Sequence, residues 1–227
     1  IKEFSYHYSK LLNPSLETDS EISIELSYIN RLEINVSFPF ILPVYNDYMK
    51  NIISKNEFIH VLKLIQSFIW RRFITGLPTH ALNKIFMTLY SDVIKTNYIK
   101  SIEKSLVKKK SYQRFPNNIE IENVLLEKDV YSIQSKNSIY FLELLENHNN
   151  KEFVSIDNPN ITIEHIFPQN PDKSWYNSLN EEEIKLFKEK YLNTISNLTL
   201  SGNNGSLSNK SFEEKKIMNR DGKEQGY

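Results

Sequence analysis

Glu164 and His165 stand side by side in the stretch ITIEHIFPQNP, residues 161 to 171, at the end of an alternating apolar run that Phe167 and Pro168 close. An adjacent carboxylate and imidazole followed by amide side chains suit metal-assisted hydrolysis of a phosphodiester. The phosphate and the leaving oxygen need a hard divalent cation, which prefers carboxylate, amide oxygen and water as ligands. The attacking water needs a base that titrates near neutrality, and histidine offers this without heavy perturbation. Successive side chains of a regular strand point to opposite faces, so Glu164 and His165 can serve one site only where the strand ends. Pro168 predicts such an end.

The elements around this pair change character along the chain. Residues 2 to about 150 read as mostly helical, a helical bundle. Leu62, Ile65, Ile69, Phe73 and Leu77 recur at three- and four-residue steps, the period of a buried helix face, and Gly76 and Pro78 end the run. Thr79 is the expected N-cap of a second helix with Leu82, Ile85, Phe86 and Leu89 on one stripe. NYIKSIEKSLVKKK, IEIENVLLEKDVYS and NSIYFLELLENHNNK are three further candidates. From residue 151 the pattern shifts: FVSIDNPNITIEHIFP reads as one or two short strands broken by Asn-Pro. NEEEIKLFKEKYLN is an amphipathic helix with acids first and lysines last, as the helix dipole favours. TISNLTLSGNNGS reads as a strand entering an Asn-Gly turn, and SNKSFEEKKIMN as a final helix capped near Ser208 or Asn209. The fold class expected is mainly α, with domains at 1–150 and 151–227, the second a small ββα unit.

Composition narrows the function classes. A hydrophobic fraction of 40% and a charged fraction of 25% are those of an ordinary globular chain of 227 residues. No apolar run approaches the roughly 20 residues that cross a bilayer, so no membrane partner is expected. The start, IKEFSYHYSK, has no signal-peptide pattern, and lacking an initiator Met it suggests a piece of a longer protein. Without cysteine there is no disulfide framework or thiolate metal site, which fits a cytoplasmic location. The net charge is zero, so contact with a polyanion would rest on local clusters. Lys95, Lys100, Lys104, Lys108, Lys109, Lys110 and Arg114 form one such cluster, for which a solvated helix end is the favoured reading. Arg71 and Arg72 read as one buried ion-pair partner and one solvated charge, and Trp70 and Trp175 as packing residues.

IEHIFPQN, NLTLSGNNGSLSNKSFEEKK, RRFITGLPTHALNKIF and RFPNNIEIENVLL together resemble the C-terminal half of GmrSD-type modification-dependent restriction endonucleases and their relatives in phage defence, from about residue 55 onward. The resemblance implies a helical region followed by an HNH (ββα-metal, His-Me finger) nuclease unit cutting DNA, modified or unmodified, with Mg2+ or another divalent cation such as Mn2+ or Ni2+. Carried over by position, His165 is the general base and Glu164 a metal ligand. Asn197 is the central Asn that fixes the loop and orients the histidine, and Asn204 completes the metal site. Asn209 and Lys210 are phosphate contacts or helix caps. Glu stands at position 164 where other HNH nucleases commonly have Asp. The nucleotide-hydrolysing N-terminal half of such proteins, with its ParB-like core, has no counterpart in this sequence and is expected as a partner. Two strand cuts by a single site suggest a homodimer or sequential nicking.

Two other readings stay open. The ββα unit could hold DNA or a partner half without cutting, or the chain could be a helical scaffold whose Glu-His pair is incidental. The last predicts that Glu164, His165 and Asn204 lie far apart.

Overall fold

The structure is a computed structural model that describes residues 2–33, 35–132, 136–150, 152–220 and 223–224. It is mainly helical, as expected, and by its contacts it divides into two compact units, residues 1–121 and 122–227. The division falls before the boundary expected at 150. The segment after 121 bonds to residues beyond 150: the Val130 amide donates to the Asn193 carbonyl at 2.9 Å, and Glu143 accepts from the Ile156 amide at 3.0 Å. No described helix is long and apolar enough to cross a membrane.

The first unit contains α1 (Lys2–Leu12), α2 (Ser20–Arg31), α3 (Phe38–Met49), α4 (Lys55–Ile74), α5 (His80–Leu89), α6 (Tyr98–Val107) and the start of α7 (Asn118–Glu127). Helix α4 is its axis. Phe58, Val61, Leu62, Ile65, Phe68 and Ile69 are all at most 1% exposed, so α4 is buried on more than the single stripe its spacing implied, as a helix packed on several sides must be. Ser54 and Glu57 form a capping box at its start. Gly76, with φ at +71°, supplies the left-handed residue after its end. Thr79 occupies the N-cap position of α5 but makes no side-chain cap bond.

Buried polar groups inside this unit are enclosed by carbonyls, hydroxyls and charged partners. Arg72, 1% exposed, donates to the carbonyls of Tyr112, Arg114 and Pro78 at 2.9 to 3.1 Å. It therefore anchors the segment at 112–114 and Pro78 through backbone oxygens, where an ion-pair partner was expected. Arg71 likewise donates to the Pro116 carbonyl at 3.1 Å and is only partly exposed. The carboxylate of Asp47 accepts from Tyr90 at 2.9 Å, from Tyr98 at 2.6 Å and from Lys95. Of the basic cluster, Lys95 and Arg114 are thus taken up in pairs, the latter with Glu120, while Lys100, Lys104 and Lys108 are exposed on α6 and the loop that follows.

The second unit holds the rest of α7, α8 (Lys136–Glu146), β1 (Thr162–His165), α9 (Glu181–Leu186), β2 (Leu198–Ser201), α10 (Asn204–Leu207), α11 (Phe212–Lys216), and a hairpin of β3 (Asn219–Arg220) and β4 (Lys223–Glu224). β1 and β2 are antiparallel, with Glu164 opposite Thr199 and His165 opposite Leu198. Phe167, Trp175 and Ile184 form a small apolar core. Helix α9 opens on an Asn180–Glu183 capping box and continues as a π-helical turn at Phe187–Tyr191.

Of the one or two strands expected between 153 and 168 one forms, β1, and two further local expectations are corrected here. No strand forms at 153–156, because Asn147 accepts from the Val154 amide at 2.7 Å and donates to its carbonyl at 2.8 Å, occupying both groups a ladder would use. The expected Asn-Gly turn is the helical turn α10, drawn in by Leu207, which is 1% exposed and bonds back to the Asn203 carbonyl. The last helix starts four residues beyond Ser208, capped by Ser211 in a box with Glu214, and stops at Lys216.

Candidate functional site

Strand β1 ends at His165, as Pro168 predicted, and the end is enforced by Asn197. Its side chain accepts from the Phe167 amide at 2.7 Å and donates to the Phe167 and Leu192 carbonyls at 3.0 and 2.8 Å. Its own carbonyl takes the Ile166 amide at 2.9 Å. At 3% exposure this asparagine saturates a buried turn, so it holds the backbone immediately after His165 in one conformation.

Glu164 and His165 both border one polar cleft of about 340 Å3 in the second unit, together with Tyr131, Asn170, Asn204 and Asn209. Glu164, His165 and Asn204 are therefore together, which removes the reading that needs them far apart. Asn204 sits at the start of α10 and donates to the Ile163 carbonyl at 2.8 Å and to the Thr162 hydroxyl at 3.2 Å, tying α10 to β1. Asn197 lies behind the turn and does not border the cleft. Asn209 borders it, whereas the Lys210 ammonium is bonded to the Ser206 carbonyl at 2.7 Å and its carbonyl receives the Trp175 indole at 3.0 Å.

Sequence reasoning missed Lys215. Fully buried on α11, it donates to Glu164 at 2.7 Å and to the carbonyls of His165 and Ile166 at 2.9 and 3.1 Å. An ammonium has three donors and here three acceptors, so Lys215 is saturated and acts as a clamp on the strand end. A lysine on the inward side of a short helix gives no periodic signal. Asn193, Asp129 and Tyr131 were missed as well. The His165 Nε2 lies 3.2 Å from the Asn193 Oδ1, and the Tyr131 ring meets the imidazole edge-on, with centroids 4.5 Å apart.

His165 is 8% exposed, and burial is the largest cause holding its pKa below the ordinary 6.5, helped by the nearby charge of Lys215 and opposed by the bond to Asn193 and by Glu164 and Asp129. The imidazole is neutral at neutral pH, the form a proton acceptor needs.

Among the described residues, no three His, Asp or Glu side chains gather as a metal cage. The cleft offers one carboxylate, Glu164, and the side-chain amides of Asn204, Asn209, Asn170 and Gln169. Such a donor set fits a hard cation that keeps several waters and takes further ligands from a phosphate, while Lys215 competes for the same carboxylate.

No curated protein and no solved structure matches the chain. A family model does, over a stretch that begins later than the resemblance at residue 55 implied and that takes in the Glu-His turn, β2 and α11. Residues 115–224 match the model of the C-terminal domain of the GmrSD restriction endonucleases.

Proposed function

We propose that the second unit cuts DNA as an HNH-type, ββα-metal nuclease, with β1, β2 and α10 as the ββα frame. The observation that carries this reading is that Glu164, His165 and Asn204 border one polar cleft at a strand end fixed by Asn197. In this reading the neutral imidazole of His165 accepts a proton from the water whose oxygen attacks phosphorus. The bond from phosphorus to the leaving oxygen breaks, and that oxygen is protonated from solvent. A divalent cation such as Mg2+ or Mn2+, held by Glu164 and the amide oxygen of Asn204, would offset the charge on the phosphate and on the departing oxygen. Asn197 keeps the imidazole in place through the backbone, Lys215 holds Glu164, and Asn209 contacts the phosphate backbone. Lys210, which does not line the cleft and whose ammonium is held by the Ser206 carbonyl, caps that turn in this reading. The substrate is DNA, modified or unmodified. A nucleotide-hydrolysing partner half and a second copy of the chain are the associations to test.

Plasmid nicking in Mg2+ tests the assignment. His165→Ala should lower it about 10²- to 10⁴-fold, the usual contribution of a general base, with folding and DNA binding retained. Undiminished cutting by this variant refutes the role of His165. A second reading has its own support: Lys215 already neutralises the one carboxylate of the cleft, as a module that only holds DNA or a partner half would allow. It gains if neither divalent-ion binding nor nicking is found at high protein concentration.

A further inference from the structure

Asp129, Asn193 and His165 form a chain of hydrogen bonds in which the direction of every donor is forced. The carboxylate of Asp129 accepts from the Ser132 amide and hydroxyl, both at 2.7 Å, and from the Asn193 amide nitrogen at 2.9 Å. A carboxylate only accepts, so the nitrogen of the Asn193 side chain must face Asp129. Its oxygen then faces the imidazole, 3.2 Å from Nε2. An amide oxygen also only accepts, so Nε2 must carry the hydrogen. In a neutral imidazole this leaves the free electron pair on Nδ1.

Asn193 has little freedom to turn over. Its carbonyl is held by the Val130 amide at 2.9 Å, and its side-chain nitrogen lies 3.3 Å from the Ser132 hydroxyl as well. Tyr131, from the same four-residue turn, packs its ring against the imidazole. Residues 129–132 thus orient the histidine through an acceptor relay and a ring wall at once. Burial would raise the Asp129 pKa, but hydrogen bonds from Ser132 and Asn193 outweigh it and hold the carboxyl below its usual value.

We infer that Asp129 and Asn193 are positioning residues that fix His165 as the Nε2–H tautomer, so that Nδ1 is the atom that takes the proton from water. The inference rests on the nuclease reading for its consequence in cutting, but its structural half can be read without any activity.

Long-range 1H–15N correlation spectra of the whole chain, with His165→Gln identifying the signals among five histidines, report the tautomer directly. The wild type should show His165 with the hydrogen on Nε2, and Asn193→Ala should show a mixture. If the wild type instead carries the hydrogen on Nδ1, or if Asn193→Ala leaves the tautomer unchanged, the relay is refuted. In the plasmid assay Asn193→Ala should lower kcat by about 10- to 100-fold with little change in KM, the range seen when a group that orients a histidine is removed. The double exchange Asp129→Asn with Asn193→Asp reverses the bond between 129 and 193, placing a donor at 129, but keeps an acceptor facing Nε2 at 193, and should restore the tautomer and much of kcat. Equal impairment of single and double variants, with both folded by circular dichroism, would assign these residues to structure alone. A wild type with the expected tautomer that cuts no DNA would sink the nuclease reading and leave the relay standing.

Discussion

The two units bury charge for different ends. In the first, Arg72 and Asp47 are enclosed by interior partners: three carbonyls around the two terminal nitrogens of the guanidinium, and two tyrosine hydroxyls with Lys95 around the carboxylate. In the second, Glu164 and His165 are equally buried by exposure, at 3% and 8%, yet both border a polar cleft. Burial alone therefore does not distinguish scaffold from site. The distinction lies in whether a buried polar group faces only the interior or also an opening that a ligand can enter.

This contrast can be broken by substitutions that separate folding from function. The largest effect belongs to His165→Ala, which should remove cutting while thermal denaturation shows a folded protein; a parallel loss of fold would make the histidine a scaffold residue too. Next comes Lys215→Ala, which leaves the Glu164 carboxylate buried with its cation gone and should cost about 3–5 kcal/mol in urea denaturation. A negligible change there would mean that water enters the strand end freely. Asn197→Ala strips partners from the Phe167 amide and two carbonyls, and about 1–3 kcal/mol should disappear along with most cutting.

Acid should weaken the first unit through Asp47. Burial would raise its pKa, but the bonds from Lys95, Tyr98 and Tyr90 outweigh this and hold it below the ordinary 3.8. A carboxylate depressed in the folded state stabilises fully above the unfolded value and less as pH falls through the folded one. Stability should therefore drop below about pH 4. Asp47→Asn should flatten that part of the acid profile, and an unchanged slope would show that other carboxylates dominate. The smallest effects compare two caps. Ser54→Ala should cost about 1 kcal/mol, whereas Thr79→Ala, which loses no cap bond, should cost almost nothing.

Much of the frame was legible because it is local. The three- and four-residue spacing of Leu62, Ile65 and Ile69 marks α4, and the alternation into Glu164 and His165, closed by Pro168, marks the end of β1. What escaped was set by contacts between distant positions. Lys215 meets Glu164 across 51 residues, Asn193 meets Asp129 across 64, and Arg72 reaches the Tyr112 carbonyl across 40. No propensity or period encodes such pairings. That 153–156 forms no second strand has the same origin, since Asn147, just past α8, satisfies Val154, a pairing the apolar pattern does not encode.

The clamp from Lys215 also gives the chain an order of assembly. The turn bearing Glu164 is synthesised 51 residues before the ammonium that neutralises it. A polypeptide still on the ribosome, with α11 inside the exit tunnel, holds that carboxylate without its counter-charge and cannot close the strand end around it. Closure of the cleft is in this way deferred until α11 has emerged and folded onto β1.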